Sequence, residues 1–472
     1  MQAESSVDSF ECLIADAFQV AGFELYVVGG VLRDELLGLQ HDDLDFATNA
    51  RPEDIVGVLE TIAELTIYRV GEQFGTIGAV LEGSRAEITT YRSSESYTEG
   101  SRKPDVKFGL SIEEDLSRRD FTVNAIARVA GPQLSGSKNR SSATVPFVGD
   151  LIDPCNGRDD LRRRNIRSVG DPDERFREDP LRLLRGVRFA AALDFTIDAA
   201  TWESMLRSAP RLKRISRERI ADELNRMLIG PAPTRAFTLL REGGLLRHSV
   251  PQLLDLDAIQ DQGPHHAYSL WDHTFRVVES VGPDPISRWA ALLHDVAKPE
   301  TLSRDPDGRV RFFGHEDLGA EKAERILRSL RMSNETIDSV RSLVRSHMQV
   351  HQYNAEWSDG AVRRLAWKLG TNFDRAIDLA LADAGGHSEN PWNRSGVEQL
   401  ARRAMAATEA VPSSVSPLDG EALMARYNRP PGRWIRTVKE TLTDAVTEGT
   451  LRSDDIEVAW RIADVAEADT RQ

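Results

Sequence analysis

Apolar positions over residues 9–22 recur at helical spacing, with Phe10, Leu13, Ile14, Ala17 and Phe18 on one face, and predict an amphipathic helix. Runs at 24–28 and 42–47 read as short strands, with a helix at 31–37 between them. Residues 52–65 are helical in pattern, and β-like runs follow at 67–70, 76–81 and 85–91. Alternating strands and helices up to about residue 130 predict a small α/β or α+β head. The segment 131–143, rich in Gly and Ser, reads as a surface loop. From about 158 onward the period-two signal nearly vanishes. Helical periodicity occupies 180–193, 217–228 and 233–241, and 251–264 reads as a linker or turn region. A histidine-bearing helical unit covers about 265–390. A helical tail, broken by Pro412, Pro417, Pro430 and Pro431, runs over 398–468.

At 472 residues the chain exceeds one compact domain. No apolar run approaches the roughly 20 residues that cross a bilayer, so no membrane association is expected. Met1-Gln2-Ala3-Glu4-Ser5-Ser6 has neither a basic start nor an apolar core, which argues against a secretory signal. Cys12 and Cys155 are too few for a disulfide framework or a thiolate metal site. A cytoplasmic protein is the expectation. The net charge of −15 speaks against an indiscriminate nucleic-acid coat, but the arginines are segregated. One cluster is Arg162, Arg163, Arg164 and Arg167. A second is Arg175, Arg177, Arg182, Arg185 and Arg188. A third is Arg211, Lys213, Arg214, Arg217 and Arg219. Arginine suits planar contacts to phosphates and bases, yet each cluster taken alone reads equally well as a solvated helix face.

Three constellations carry chemistry. In Val27-Val28-Gly29-Gly30-Val31-Leu32-Arg33-Asp34 a glycine pair ends a β-rich run next to an arginine. Gly29 and Gly30 allow close backbone approach to phosphate oxygens, and Arg33 adds charge. Asp43 and Asp45 stand at i and i+2 on the next strand, so both carboxylates face one pocket, as Mg²⁺ shared with substrate phosphates requires. Glu87, on a later strand, could be a third carboxylate. An Asp-x-Asp pair by itself is no more than an acidic turn; the glycine–arginine segment beside it tips the reading toward phosphate chemistry. Second, Asp179, Arg182 and Arg185 fall on one predicted helix face, with Arg188 not far round it. An acceptor beside a donor can read N4 and N3 of cytosine and also N6 and N1 of adenine. Uracil and guanine reverse that order and would leave buried groups unsatisfied, at about 1–3 kcal/mol each. The plain alternative is an i, i+3 surface ion pair. Third, His273, His294-Asp295, His315, His347 and Asp383 offer imidazoles and carboxylates suited to a transition-metal ion.

The chain resembles the class II nucleotidyltransferase family of bacterial CCA-adding enzymes and poly(A) polymerases. Gly29-Gly30-Val31-Leu32-Arg33-Asp34 with Asp43-Leu44-Asp45 is similar to its first motif. Arg118-Arg119-Asp120-Phe121-Thr122-Val123-Asn124-Ala125 is similar to the second, and Asp153-Pro154-Cys155-Asn156-Gly157 to the hinge-like third. Glu178-Asp179-Pro180-Leu181-Arg182 resembles the fourth, and Ile215-Ser216-Arg217-Glu218-Arg219-Ile220 the fifth. The resemblance implies that Asp43 and Asp45 hold the catalytic Mg²⁺. Arg119, Asp120 and Asn124 would face ribose and phosphates, Asp179 and Arg182 would select the base, and Arg185 and Arg188 would meet phosphates. The polar segment 91–108 resembles the flexible loop that helps CCA-adding members switch from C to A. The order His…His-Asp…Asp resembles the HD phosphohydrolase superfamily, with His273, His294, Asp295 and Asp383 at its four core positions. His315 and His347 fall where two-metal members place further histidines.

The implied fold is mixed. A polymerase-beta-like α/β nucleotidyltransferase head (1–150) precedes a helical neck carrying base-reading and RNA-binding helices (151–255), an HD metal-binding helical domain (256–397) and a helical tail (398–472). The implied function is CCA addition to tRNA, with CTP and ATP as substrates and the tRNA acceptor stem and 3′ end as partner. No stable protein partner is implied. Two rivals stay open: a poly(A) polymerase using the same machinery, and a metal-dependent phosphohydrolase acting on RNA ends. The six positions favour metal binding at the HD site; the alternative is an inactive remnant kept for packing or RNA docking.

Overall fold

The structure, a computed structural model, describes residues 6–40, 43–97, 104–131, 151–260, 268–386, 394–410 and 416–470. The chain divides into two compact units, Met1–Pro251 and Gln252–Gln472.

The first unit opens with helix α1 (Ser6–Ala21). Phe10, Ile14 and Phe18 are buried at the expected spacing, whereas Leu13, placed on the same face by the pattern, is 40 % exposed at its edge. Strand β1 (Leu25–Val28) runs straight into α2 (Gly29–Leu37). Strand β2 (Asp43–Thr48) and helix α3 (Pro52–Leu59) follow, the helix being shorter than its sequence pattern. Strands β3 (Thr66–Tyr68), β4 (Thr76–Leu81) and β5 (Ser84–Thr90) come next. The segment 91–108, loop-like in sequence, instead forms an antiparallel hairpin of β6 (Arg92–Tyr97) and β7 (Pro104–Phe108); its tip lies outside the described residues. Cross-strand backbone bonds suffice to hold a polar hairpin, so it left no period-two apolar signal. Helix α4 (Ile112–Ser117), β8 (Ala127–Val129) and β9 (Leu151–Ile152) complete a seven-stranded sheet in the order β3-β4-β5-β2-β1-β8-β9. The loop expected at 131–143 lies beyond Gly131 outside the described residues. In this sheet β2 and β5 pair in parallel, while β1 is antiparallel to both β2 and β8.

Helices α5 (Gly157–Arg163), α6 (Pro172–Glu178) and α7 (Leu181–Ala192) join sheet to helices. Asp153 accepts from the backbone N–H groups of Gly157 and Arg158 and so caps α5. A β-carbon on Gly157 would lie 2.0 Å from the Thr122 carbonyl oxygen, so only glycine permits this approach. Asp160 accepts from Thr122 Oγ1 and from Arg167, tying the same junction. Two short strands, β10 (Asn165–Ile166) and β11 (Thr196–Ile197), pair in parallel. Helices α8 (Ala199–Ser208), α9 (Arg217–Ile229), α10 (Pro233–Glu242) and α11 (Leu246–Ser249) finish the unit.

The second unit is almost wholly helical. It contains α12 (Leu270–Ser280), α13 (Pro285–Leu293), α14 (Lys298–Thr301), a small hairpin of β12 (Ser303–Arg304) and β13 (Val310–Arg311), α15 (His315–Ser329), α16 (Asn334–His351), α17 (Asp359–Leu369), α18 (Phe373–Gly386) and α19 (Arg394–Ala410). The last helices, α20 (Gly420–Tyr427), α21 (Arg433–Glu448) and α22 (Ile456–Asp469), enclose a core of Leu423, Trp434, Val438, Leu442, Val446, Ala459 and Ala463. Arg363 on α17 donates to the Thr447 carbonyl on α21 at 2.6 Å.

Candidate active site and candidate metal centre

Alternation along β2 sends Leu44 and Phe46 into the core and leaves Asp43 and Asp45 on the other face. Glu87 stands in register with Asp45 on the neighbouring parallel strand and takes the same face, between buried Ala86 and Ile88. Burial, then the Glu87 charge, push the Asp45 carboxyl up to about 6; Asp43 adds to this and Arg119 opposes it. That surplus of negative charge, made of carboxylate oxygens, fits a hard divalent cation such as Mg²⁺.

Helix α2 starts at Gly29, two residues before the apolar pattern places it. Gly29 has φ +73°, and a β-carbon there would stand 3.2 Å from Arg119 Nη1 and 3.5 Å from Asp45 Oδ2. The sequence pattern treats a glycine pair as a break, but here Gly29 turns the chain directly from strand to helix. No side chain caps this N-terminus. It opens on a cavity of ≈ 590 Å³ whose lining includes Gly29, Gly30, Arg33, Asp45, Glu87, Arg119, Asp120, Asn124, Asp179, Arg182, Arg185 and Arg188. Asp43 lies two residues from Asp45 at the exposed start of β2 and is not among the lining residues.

Fixed partners orient these groups. Arg33 grips Asp34 with two bonds of 2.8 and 2.9 Å and donates from Nη1 to Asn124 Oδ1 at 2.9 Å. Asn124 Nδ2 donates to Asp120 Oδ1 at 3.2 Å, and Arg185 Nε to Asp120 Oδ2 at 2.7 Å. Burial would raise Asp120, but the Arg185 guanidinium, helped by Arg182, outweighs it and holds this carboxyl at about 2. Arg188 Nε donates to Glu223 Oε2 at 2.7 Å. The guanidiniums of Arg33, Arg185 and Arg188 lie 5.2, 5.3 and 4.4 Å from the centre of the Phe189 ring.

One expectation needs correction. Asp179 does not share a helix with Arg182. It ends α6 in extended conformation, and α7 begins at Leu181. Pro180 is the reason, because the residue before proline is pushed out of the helical region. Asp179 Oδ1 accepts from Leu181 N at 3.0 Å, and Arg219 Nη2 donates to Asp179 Oδ2 at 2.7 Å. Arg182 Nη1 donates to Glu178 Oε2 at 2.8 Å and Arg175 O at 3.2 Å, and its Nη2 to Arg118 O at 3.2 Å. The pair meets in the cavity by way of this junction rather than by helical spacing. Among the other groups at the site, Arg219 was visible within an arginine cluster. Phe189 and Glu223 gave no signal, one reading as core and the other as a helix-surface acid.

In the second unit, residues from five segments converge. His273 (α12), His294 and Asp295 (after α13), His315 (α15), His347 (α16) and Asp383 (α18) are all buried. Their ligand atoms form two trios, His273–His294–Asp383 and Asp295–His315–His347, each within 4.8 Å. The Nδ1 atoms of His294, His315 and His347 lie 2.8, 2.7 and 2.6 Å from the carbonyls of Ala291, Phe312 and Val344. A carbonyl only accepts, so each Nδ1 carries the proton and each Nε2 presents a lone pair. Yet His315 Nε2 and His347 Nε2 face each other at 3.1 Å. Two lone pairs at that distance call for a cation between them. Burial, then the neighbouring His294 and His315, lower His347 to about 3, which fits an uncharged nitrogen donor. His351, not foreseen, bonds Asp383 Oδ2 at 2.8 Å, and Lys298 lies 2.7 Å from Asp295 Oδ2. Such outer partners orient ligands.

The Poly A polymerase head domain family matches residues 25–167. The probable RNA and SrmB-binding site of polymerase A matches 194–256, and the HD domain matches 265–384. A CCA-adding enzyme of Geobacillus stearothermophilus is 29 % identical over 93 % of both chains. An A-adding tRNA nucleotidyltransferase of Deinococcus radiodurans is 31 % identical over 89 % of this chain and 90 % of its own. The crystal structure of the Bacillus stearothermophilus CCA-adding enzyme in complex with CTP superimposes with a TM-score of 0.65 at 26 % identity, covering 97 % of each chain. No helix among the described residues is long and apolar enough to cross a membrane. With this likeness running through nearly its whole length, the chain belongs to the class II nucleotidyltransferase family of CCA-adding enzymes and poly(A) polymerases.

Proposed function

We propose that this chain builds and repairs the 3′-terminal CCA of tRNA from CTP and ATP, without a nucleic-acid template and with release of pyrophosphate. The observation that carries this reading is one cavity holding both an uncapped helix N-terminus beside carboxylates and an acceptor–donor pair, Asp179 and Arg182. The first turn of α2, with Arg33 and Arg119, is suited to the triphosphate. Asp120 and Asn124 lie on the ribose side, and Arg185 and Arg188 hold phosphate charge. Asp179 accepts and Arg182 donates toward the base, and their own partners hold both ready, so a base of the wrong pattern leaves them unsatisfied. Mg²⁺ held by Asp43 and Asp45, with Glu87 beside them, would supply charge neutralisation on the phosphates and activation of the RNA hydroxyl. We assign head, neck, HD and tail to 1–150, 151–255, 256–397 and 398–472, with the acceptor stem on the neck arginines and a cytoplasmic setting.

The test uses three substrates: tRNA lacking its end, tRNA ending in C, and tRNA ending in C-C, with CTP and ATP supplied separately. Addition of C, C and A in turn is expected. Extension only of the C-C end would make it an A-adding enzyme like the Deinococcus relative, and unlimited A addition would make it a poly(A) polymerase. The facing imidazoles of the second unit favour a further activity, metal-dependent hydrolysis of phosphate esters at RNA ends, by a transition-metal ion held by the two trios. Phosphate release that survives Asp43→Ala and disappears with His294→Ala would support it.

A further inference from the structure

Four residues stand in one row across the seven-stranded sheet. Asp45 on β2 is in register with Glu87 on β5, Glu87 with Gly78 on β4, and Gly78 with Tyr68 on β3. Paired residues of neighbouring strands point to the same face, so Tyr68 shares the face that carries the two carboxylates. A β-carbon built on Gly78 would overlap Cε2 and Cζ of the Tyr68 ring. A glycine inside a strand gives up side-chain packing and marks a place of close approach. Here it lets the half-buried Tyr68 ring lean from the sheet edge across β4 toward Glu87. Two residues along the same face, the hydroxyls of Thr76 and Thr89 are 3.0 Å apart, and Arg92 Nη2 donates to Thr76 Oγ1 at 3.0 Å. Thr76, Thr89 and Arg92 line the same cavity as Asp45 and Glu87. The nucleotide takes up none of these four side chains.

The strand order β3-β4-β5-β2-β1 sets the carboxylates between Tyr68 and the start of α2, which follows β1. Transfer to an RNA hydroxyl is an in-line displacement, so the attacking oxygen and the leaving pyrophosphate stand on opposite sides of the reacting phosphorus. With the triphosphate on the first turn of α2, the RNA end has to arrive over β4 and β3. Proteins hold single-stranded ends by stacking a base on an aromatic ring, and stacking accepts every base because each has a π-face. That tolerance suits a seat whose occupant changes with each nucleotide added.

We propose that Tyr68 is the seat for the last base of the RNA being extended, with Arg92 and the Thr76–Thr89 pair along the path of its sugar and phosphate. The inference rests on the nucleotidyl-transfer reading above and adds the place of the second substrate.

The test is made in the full-length protein with Tyr68→Ala, Tyr68→Leu and Tyr68→Phe. Two quantities are measured: kcat/KM for tRNA ending in C-C at saturating ATP, and ATP affinity in the absence of RNA. Tyr68→Ala should lower kcat/KM for the RNA by about 10-fold, the worth of one base stacked on an aromatic ring, and leave ATP affinity unchanged. Tyr68→Phe keeps the ring and should keep the wild-type value. On a tRNA whose last nucleotide lacks its base, wild type and Tyr68→Ala should react alike. An unchanged kcat/KM for the RNA, a matching loss of ATP affinity, or a difference that persists on the abasic end would overturn the proposal. Should Tyr68→Ala fail to fold, Tyr68→Leu decides by the same criteria, because it keeps apolar bulk without a ring. A wild-type protein that adds no nucleotide to any tRNA end would instead overturn the reaction reading itself.

Discussion

Single side chains in the cavity act through partners that fix their direction before any ligand arrives. Asp179 illustrates this, since the Leu181 N–H donates to one of its carboxylate oxygens and Arg219 to the other. Replacing it by alanine should leave transfer measurable but cut the preference for CTP over UTP by about 10-fold or more, the worth of one buried hydrogen bond. Single-nucleotide addition with each triphosphate checks this, and unchanged selectivity would remove Asp179 from base reading. Asp120 makes a different prediction. Its folded-state value of about 2 lies below the ordinary 3.8, so it contributes stability that is present above pH 4 and lost as pH falls toward 2. The contribution is on the order of 2 kcal/mol. Urea unfolding of wild type and Asp120→Asn should therefore differ at pH 7 and converge as the pH approaches 2.

Elements meet here at distances that leave no room for an added methyl group. The start of α5 sits so near Thr122 that Gly157→Ala must move one or the other, at a cost of about 1–3 kcal/mol by overpacking. Denaturant melts read that cost directly. At the start of α2, Gly29→Ala adds a strained backbone to a contact with Arg119. Its expected signature is a raised KM for both triphosphates, because Arg119 and the first helical turn are displaced together, and an unchanged KM would separate that turn from the phosphates. The hairpin β6–β7 marks a limit of pattern reading at this scale. Its strands are held by paired backbone groups and carry no alternating apolar face, so nothing in the residue types announced them.

At the scale of the molecule, the chain divides into two compact units, and the clustered histidines of the candidate metal centre lie in the second. Because metal binding also supports folding, His294→Ala should lose bound transition metal by elemental analysis and lower the melting temperature. CMP addition by the same variant should stay within about 2-fold of wild type, as expected for separate domains. A large loss of CMP addition would mean that the second unit is needed for the first reaction.

Much of this could be read from the chain. The strand alternation at Asp43 and Asp45 is local, because a period of two puts both on one face wherever the strand lies. The six residues of the candidate metal centre could likewise be picked out by type, since few other side chains supply such ligands. Local pattern ends where the backbone turns. Pro180 took Asp179 off the helix that spacing assigned to it, and Gly29 began α2 earlier than the apolar periodicity could show. Contacts between distant segments were beyond sequence altogether. That Arg219 holds Asp179 and that Phe189 gathers Arg33, Arg185 and Arg188 are products of the tertiary fold. Residue identity sets which atoms donate, accept or bind a cation, but direction and distance between them are set only once burial fixes the chain around them.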